Sequence, residues 1–598
     1  MKNQVIAKYA KDEYINPKIH EKTPQEMLRP RVASNCEVNR THVFRVKRQT
    51  VAIVFVPGVM GSRLEVEQKS KISKRKEAKL WDPDDLVMMV KAFFCATPEE
   101  RHELFFDQQR KVITTANADH KHNNKADEQG WPGVAWSCYG ELISSLHDWD
   151  TPLKTLLDLP VYAFGYDWVD SNELSGFQLQ RFILQQVKAD KVIIVTHSMG
   201  GLVTRYALSG EGGDALANKV LGVIHGAQPV HGAPDAYHRQ IAGTGAENFI
   251  GKIASRVMGA NGEHMTAIAP HAPGILQLLP NQFYRSNRGK QAWLHIQDLD
   301  NEHEFQSYPQ GDPYEEIYLR SHHREYWGLI HGEWFQPVPE SPDVIERSIT
   351  MDSVNEAKEI NLESISSNLN ILLRDAREFH NTIGLYAHPR TVQLFSSGGR
   401  ATITEICWRA KDITQAVMNA IPVQQKSYTH LAHYASQTSL HPRSFLGEIE
   451  EAKPQGFGKY SEVRWRHANG KLGEIVPPET RLEDLREPLT TGGMRLFHVW
   501  MTASGETLPG ISDNAMCHLG DGTVPVSSAT AMNPDLDAWT PCTQVLPTWQ
   551  TPSGELKYVT GLANQASHDQ FYNDEAAIRA VKQSVFNLCL GWLKGDFE

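Results

Sequence analysis

The stretch Val192-Ile-Ile-Val-Thr-His-Ser-Met-Gly-Gly-Leu-Val-Thr-Arg-Tyr-Ala-Leu208 gives the strongest indication of the fold of this chain. A β-branched apolar run leads directly into Ser198 and an amphipathic segment follows, which predicts a strand, a tight turn and a helix. Such a turn, called a nucleophile elbow, holds a serine in a strained conformation with its hydroxyl exposed above a sheet. Gly200 and Gly201 supply small neighbours, whereas Thr196 occupies the place of the first glycine in G-x-S-x-G. The alternative is an ordinary turn in which Ser198 only caps the helix.

An apolar run of strand length, Val51–Val56, precedes this segment and ends in the loop Pro57-Gly-Val-Met-Gly-Ser62. Glycines in such a loop allow backbone N–H groups to approach a substrate closely. We therefore expect the backbone N–H groups of Val59 and Met199 to bind the oxyanion of an acyl-transfer reaction. Taken without the elbow, the loop could be an ordinary Gly-Pro turn.

A carboxylate and a histidine follow downstream, in the order of serine, acid and histidine that α/β-hydrolases use. The carboxylate is Asp521, in the tight loop Gly520–Pro525, and the histidine is His568, just before the helix-like stretch Asp574–Lys594. At that place His568 can reach the serine with one ring nitrogen while the other nitrogen meets Asp521. His518, near the acid loop, is the main rival for the base.

Several motifs together resemble, in the same order, those of the lecithin:cholesterol acyltransferase and lysosomal phospholipase A2 group of α/β-hydrolases. The resemblance extends to bacterial type VI secretion lipase effectors, and it covers roughly Val51–Tyr284 and Leu496–Trp592. It implies that Ser198, Asp521 and His568 form a catalytic triad. The motifs are the Pro57–Ser62 loop, Tyr166-Asp167-Trp168, the elbow, Pro273–Pro280 and Gly-Asp-Gly-Thr-Val-Pro525.

The resemblance also indicates the reaction and its surroundings. It implies a phospholipase A that cleaves acyl esters of membrane glycerophospholipids and acts as an antibacterial type VI effector toxin. A cognate immunity protein and a secretion-apparatus spike protein are then the expected protein partners. The alternatives are a cytosolic esterase or acyltransferase on non-membrane esters, and a non-catalytic binding protein of the same fold. We expect the substrate site to be lined by Tyr166, Trp168, His231 and Leu278.

Composition limits the class of partner and the compartment. The formal net charge of −11 argues against nucleic-acid binding. The first residues, Met1–Asp12, have no secretory hydrophobic region, so we expect synthesis in the cytoplasm and export by a contact-dependent system into the periplasm of a target cell. The 7 scattered cysteines indicate reduced thiols rather than a disulfide framework.

The predicted fold is an α/β-hydrolase fold with a lid region and a large, mostly helical inserted cap domain. In the lid region, Phe249–Met258 is amphipathic and could be a lid or a packed surface helix. Leu496–Trp500 is the expected core strand before the acid loop. The expected divisions are an N-terminal arm (1–50), the first part of the core (51–289, with the lid at about 226–280), the cap (290–487) and the second part of the core (488–598).

No cofactor is expected, because no dinucleotide, phosphate-loop or kinase signature occurs. An acidic cluster resembles the start of a calcium loop but lacks its glycine and final glutamate, so a solvated acidic loop is favoured over a calcium site. Two histidine-rich stretches lack partners at metal-ligand spacing, which argues against zinc. The acidic cluster is Asp298, Asp300, Glu302 and Glu304, and the histidines are His120, His122, His322 and His323.

Overall fold

The computed structural model describes residues 48–66, 78–94, 96–106, 109–115, 123, 125–244, 259, 261–301, 305–319, 325–330, 334, 351–384, 386–396, 402–420, 460–467, 472–477, 480–503, 520–531, 556–562 and 567–595. Among the expectations, the N-terminal arm up to residue 47, the amphipathic stretch Phe249–Met258 and the histidines His120, His122, His322 and His323 lie outside these residues. The strands are Gln49–Val56 (β1), Leu64–Val66 (β2), Ala78–Trp81 (β3), Arg110–Val112 (β4), Leu157–Asp158 (β5), Val161–Ala163 (β6), Lys191–His197 (β7), Val220–Gly226 (β8), Leu294–Asp298 (β9), Phe305–Tyr308 (β10), Arg390–Ser396 (β11), Ile406–Asp412 (β12), Tyr460–Arg466 (β13), Leu472–Ile475 (β14), Arg495–Ala503 (β15) and Leu556–Leu562 (β16).

Helices connect and cover these strands. The α-helices are Leu86–Phe93 (α1), Pro98–Phe106 (α2), Trp136–His147 (α3), Asn172–Arg181 (α4), Gly200–Ser209 (α5), Gly213–Lys219 (α6), Pro234–Ala242 (α7), Gly262–Thr266 (α8), Pro273–Leu276 (α9), Met351–Ile383 (α10), Thr414–Ala420 (α11), Leu482–Thr491 (α12), Val526–Ala529 (α13) and Glu575–Lys594 (α14). Short 3₁₀ or π turns occupy Trp131–Gly133, Pro152–Thr155, Phe182–Gln186, Ala269–His271, Tyr314–Tyr318 and Phe571–Asn573. None of the helices in these described ranges is long and apolar enough to cross a membrane.

The central sheet has seven strands in the order β16–β11–β8–β7–β1–β5, and β6 also pairs with β1. All of these pairings are parallel. Strands β5 and β6 lie on one side of β1, whereas β7 and β8 lie on the other, so the direction of winding reverses at β1. In open α/β sheets, ligands bind outside the carboxyl ends of the strands at such a reversal. The loop after β1 and the turn after β7 leave the sheet at this point.

Both faces of the central sheet are buried, as a parallel sheet requires. In β1 the odd-numbered residues of Val51–Phe55 pack with helices α3 and α14, and the even-numbered residues of Ala52–Val56 pack with α4 and α5. Burying each of the larger side chains contributes about 1.5–3 kcal/mol. This double-sided burial explains why the strand is continuously apolar rather than alternating.

A second sheet carries the region predicted as the cap. Its six strands follow the order β10–β9–β12–β15–β13–β14, and every pairing except β9 with β12 is antiparallel. Helix α10 packs against this sheet through Leu369, Leu373 and Ala376. The expectation of a mostly helical cap is therefore corrected, because the described part of it is built on a sheet. A third, three-stranded sheet (β3–β2–β4) lies after the first strand.

Two strands belong to a different sheet from the one that the predicted boundaries imply. Arg390–Ser396 lies inside the predicted cap, yet it pairs with β8 and β16 in the central sheet. Leu496–Trp500, expected as a core strand before the acid loop, is part of Arg495–Ala503 and pairs with β12 and β13 in the second sheet. The cause is that a short apolar run fits either sheet equally well, so local pattern does not select its partner.

The elbow helix and the long cap helix are joined by one buried arginine. Arg205, on α5, is 1% exposed. Its guanidinium donates to the Gly384 carbonyl at 2.6 Å and to the Tyr386 carbonyl at 2.9 Å, just after α10 ends at Ile383. Backbone carbonyls at a helix C-terminus carry partial negative charge and therefore stabilise a cation. This contact attaches the second sheet to the core close to the candidate site.

Three buried histidines close to Arg205 remain neutral. Burial, with a smaller contribution from the Arg205 charge, lowers the pKa of His225 and of His231 to about 3. Burial is also the main reason that the pKa of His380 falls to about 3. The unfolded chain titrates its histidines near pH 6.5. Between pH 3 and pH 6.5, these histidines therefore bind protons in the unfolded chain but not in the folded chain.

We therefore predict that the free energy of unfolding falls as the pH is lowered from 6.5 towards 3. Each pH unit below 6.5 costs about 1.4 kcal/mol for each such histidine, because the unfolded state then binds more protons. Urea unfolding of the protein at pH 7.5 and at pH 5.0 measures this difference. Equal free energies of unfolding at the two pH values would contradict neutral burial of His225, His231 and His380.

Candidate active site

Ser198 lies in a strained turn at the carboxyl end of β7. Its φ is +50°, a left-handed conformation that residues with a side chain rarely adopt. Its N–H donates to the Gly226 carbonyl at the end of β8, at 2.9 Å, and helix α5 begins two residues later. The hydrogen bond to the neighbouring strand holds the turn in place. The predicted strand–turn–helix is present, with the serine at its apex.

Close backbone contacts explain the small residues after Ser198. A Cβ at Gly200 would lie 2.4 Å from the Pro57 carbonyl oxygen, so a side chain there would push the turn away from the loop after β1. A Cβ at Gly201 would lie 2.5 Å from the Gln228 side chain. Thr196, in contrast, directs its hydroxyl to Nδ1 of His225 on β8, at 2.9 Å. The side chain fits between two strands, and this is why the elbow tolerates threonine at that position.

Ser198, His568 and Asp521 form a hydrogen-bonded series. His568 Nε2 lies 2.8 Å from Ser198 Oγ, and His568 Nδ1 lies 2.7 Å from Asp521 Oδ2. The carboxylate accepts from Nδ1–H, so Nε2 is left to accept the serine proton. The His568 N–H also donates to the Asp521 carbonyl at 3.0 Å, which fixes the two loops to each other. His518, the rival for the base, lies outside the described residues.

The acid loop holds Asp521 ionised although it is 3% exposed. Burial by itself raises the pKa of this carboxyl, but the His568 charge and the hydrogen bonds to the carboxylate outweigh burial and keep the pKa below its ordinary value. The backbone N–H groups of Thr523 and Val524 donate to Oδ1 at 3.0 and 2.7 Å. Thr402, at the entry to β12 of the second sheet, accepts from the Gly522 N–H at 2.9 Å. The second sheet thus supports the acid loop directly.

The two expected oxyanion donors lie on either side of Ser198. Gly58, the neighbour of Val59, is so close to the elbow that a Cβ on it would meet Ser198 Cβ at 2.8 Å. Met199 is the residue before helix α5. Among the described residues, neither the Val59 N–H nor the Met199 N–H donates to a protein acceptor. Both are therefore available to an oxygen atom bound above Ser198, as an oxyanion site requires.

The four residues expected to line the substrate site occupy different environments. Tyr166 is buried and donates its hydroxyl to the Pro57 carbonyl at 3.0 Å, so it supports the loop after β1 from behind. Trp168 is buried against Trp81, with ring centroids 5.3 Å apart. His231 donates its N–H to Ser528 beside the acid loop at 3.2 Å, and Leu278 is partly buried against the core. Direct contact of these residues with a substrate stays a prediction.

Sequence reasoning missed two residues that reach the triad. Tyr139 Oη lies 3.0 Å from Nδ1 of His197, and Nε2 of His197 lies 2.9 Å from the His568 carbonyl. His197 directly precedes Ser198, and this adjacency was the available signal. Nothing in the local pattern of helix α3 marks Tyr139, because a tyrosine on the apolar face of a helix is usually a core residue.

Arg239, half-exposed and paired with the buried Asp235, attaches the start of the predicted lid region to the acid loop. Arg239 Nε lies 2.7 Å from Asp235 Oδ2, and both residues belong to α7. The Arg239 guanidinium also donates to the Thr523 hydroxyl at 3.2 Å. Burial is the main reason that the pKa of Asp235 is raised above its ordinary value. Helix α7 and the acid loop are therefore held together within the site.

The acidic cluster weighed as a calcium site is occupied by protein contacts where the structure describes it. Asp298 accepts from the Arg466 guanidinium at 3.0 Å, and Asp300 accepts from the Asp412 N–H. Glu302 and Glu304 lie outside the described residues. Across the described ranges, no group of three or more histidine, cysteine, aspartate or glutamate side chains is arranged to hold a metal ion.

Comparison with protein families matches residues 156–310 to the family described as lecithin:cholesterol acyltransferase. No curated protein sequence matches the chain. Among solved structures, the Tle4–Tli4 complex is similar, with 20% identity, a TM-score of 0.56 and coverage of 91% of this chain and 99% of that chain. The phospholipase PlaB from Legionella pneumophila in complex with thio-NAD aligns at 11% identity over 79% of this chain and 92% of that chain, with a TM-score of 0.19.

These matches confirm the α/β-hydrolase fold and the resemblance that the motifs predicted. The family match covers the elbow, and the likeness to the Tle4–Tli4 complex covers nearly the whole chain at the level of the fold.

We predict that Asp521→Asn lowers kcat for ester hydrolysis about 10³–10⁴-fold, because the amide does not hold His568 in the tautomer that accepts the serine proton. The measurement is steady-state hydrolysis of a short-chain ester at pH 7.5. Asp569→Asn is the matched control, since Asp569 is the exposed carboxylate next to His568 in the chain. Equal activities of the two variants would contradict the assignment of Asp521 as the carboxylate that orients His568.

Proposed function

We propose that this chain is a phospholipase A that cleaves acyl esters of membrane glycerophospholipids through Ser198, His568 and Asp521. The observation that carries the proposal is the series of hydrogen bonds from Asp521 to His568 and from His568 to Ser198, on a strained elbow with two available N–H groups beside it. That arrangement supports nucleophilic acyl transfer with general base catalysis.

The reaction proceeds in two halves. His568 Nε2 takes the Ser198 proton while Oγ attacks the ester carbonyl carbon, and the Val59 and Met199 N–H groups hold the oxyanion. Each such donor stabilises the transition state by about 3 kcal/mol. The His568 imidazolium then returns its proton to the departing lysolipid alcohol, and an acyl-serine remains. Water, deprotonated by His568, releases the fatty acid and restores Ser198.

A lipid substrate is supported by features close to the oxyanion loop. Leu86 and Val87, at the start of helix α1, are 54% and 66% exposed. Trp81, just before this helix, donates its indole N–H to the Met60 carbonyl at 2.9 Å, which ties the exposed apolar side chains to the loop after β1. Exposed apolar residues beside a site favour an apolar or interfacial partner. The family matched over residues 156–310 is named for a lipid acyltransferase.

An antibacterial role is the finer part of the proposal. The motifs resemble those of type VI secretion lipase effectors, and the chain has the fold of Tle4 in the Tle4–Tli4 complex. We propose that the protein is made in the cytoplasm, is carried by a secretion spike protein and acts on membranes from the periplasm of a target cell. A cognate immunity protein would protect the producing cell by blocking the cleft.

We predict that the purified protein releases fatty acid from vesicles of defined phosphatidylethanolamine and phosphatidylglycerol, and that Ser198→Ala removes this release without lowering the melting temperature. Loss follows because Ser198 Oγ is the atom that attacks the ester carbonyl in the proposed reaction. Free fatty acid and lysolipid, measured by mass spectrometry, report the ester that is cut. Hydrolysis of short-chain esters alone would support a soluble esterase instead, and full activity of Ser198→Ala would refute the nucleophile.

We also predict that the chain stops growth of a bacterial host when a signal sequence directs it to the periplasm, and that growth continues when it stays in the cytoplasm. The expected difference arises because only the periplasmic form meets the membrane face that a delivered effector attacks. Ser198→Ala in the same vector is the control. Equal growth of hosts with the periplasmic wild type and with periplasmic Ser198→Ala would contradict the toxin role.

A further inference from the structure

A second chain of hydrogen bonds connects the three catalytic segments and runs behind Ser198. The Gly58 N–H donates to Tyr139 Oη at 3.2 Å. Tyr139 Oη lies 3.0 Å from His197 Nδ1, and His197 Nε2 lies 2.9 Å from the His568 carbonyl oxygen. Gly58 belongs to the oxyanion loop and His197 to the strand before the elbow. The hydrogen bonds therefore link all three segments, through the Gly58 N–H, the His197 side chain and the His568 carbonyl.

Chemistry fixes the direction of every hydrogen bond in this chain. A carbonyl oxygen only accepts, so His197 Nε2 carries the hydrogen and donates to His568. His197 Nδ1 is then an acceptor, and the Tyr139 hydroxyl donates its hydrogen bond to it. Tyr139 Oη in turn accepts from Gly58. Replacing any member leaves a buried polar group without its partner, which is costly in the interior of a protein.

Burial keeps His197 and Tyr139 in the protonation states that these hydrogen-bond directions require. Burial, together with the His568 charge, lowers the pKa of His197 to about 3, so the ring stays neutral. Burial raises the pKa of Tyr139 well above its ordinary value, so the hydroxyl keeps its proton. A neutral His197 adds no second positive charge beside His568 when His568 becomes an imidazolium.

We propose that Tyr139 and His197 are positioning residues, which set the distance between the oxyanion loop, the elbow and the His568 backbone through this chain. The proposal rests on the proposed function and deepens its account of the site. The ladder between β1 and β7 joins the two strands as far as Val56 and Thr196. Beyond the strands, the elbow and the oxyanion loop meet in close contact at Gly58 and Gly200, which resists approach but not separation. The Tyr139–His197 chain adds hydrogen bonds that hold the segments together beyond the end of this ladder.

The direct test is Tyr139→Phe, which removes only the hydroxyl. We expect kcat for a short-chain ester to fall at least about tenfold, because a small displacement of catalytic groups lowers the rate strongly. We expect KM to stay within about twofold of the wild-type value. A role in folding alone would lower the amount of active enzyme but not kcat per active site. Active sites are therefore counted by titration with a fluorophosphonate that labels Ser198.

Tyr572→Phe is the matched control. Both tyrosines are buried and pack on Phe55, with ring centroids 4.8 Å away for Tyr139 and 5.8 Å away for Tyr572. The Tyr572 hydroxyl donates to the Thr196 carbonyl at 2.8 Å and takes no part in the chain. We expect similar melting temperatures for the two variants and wild-type kcat per active site for Tyr572→Phe. Equal kcat values for the two variants would overturn the proposal.

A pair of His197 variants keeps the proposal testable if Tyr139→Phe fails to fold. His197→Gln places an N–H near the position of Nε2 and can still donate to the His568 carbonyl, whereas His197→Asn is too short to do so. We expect kcat per active site to be higher for His197→Gln than for His197→Asn, and equal values would refute the positioning role. Failure of the proposed function has a different signature, since the wild type would then neither hydrolyse an ester nor react with the fluorophosphonate.

Discussion

The site depends on one close approach, that of the elbow to the carboxyl end of β1. Gly200 packs so tightly against the Pro57 carbonyl that no side chain fits between them. This contact brings the start of helix α5 beside the loop after β1. This single contact therefore fixes the positions of both the Met199 and the Val59 N–H groups relative to Ser198. The strain at Ser198, with its φ of +50°, is a consequence of the same geometry.

The buried ionisable groups in and near the site are each held in one protonation state, and the partners that do so differ from group to group. Asp521 is buried, yet it stays ionised because two backbone N–H groups and His568 satisfy its oxygens. Arg205 is buried and meets carbonyls after the C-terminus of helix α10. His197 is buried and stays neutral. Each buried group therefore stays in the one protonation state for which it has partners, and His568 is the member of the series that still reaches solvent.

The second sheet takes part in the site as well as covering one end of the molecule. Thr402 holds the Gly522 N–H of the acid loop, and Arg205 joins the core to helix α10. Strand β11 lies between β8 and β16 in the central sheet, although in sequence it falls inside the inserted region. The chain therefore passes from the second sheet into the core and back before it reaches the acid loop. Core and insertion share elements and are not separable blocks of sequence.

The elbow, the oxyanion loop and the order of Ser198, Asp521 and His568 could be predicted from the sequence alone. These features are local, because a strand, a tight turn and a helix leave their signature in neighbouring residues. The folded structure was needed to show which sheet Arg390–Ser396 and Arg495–Ala503 join, and that Tyr139 reaches His197. Such choices depend on contacts between residues far apart in the chain, and a short apolar strand or a helical tyrosine has the same local pattern whichever partner it finds.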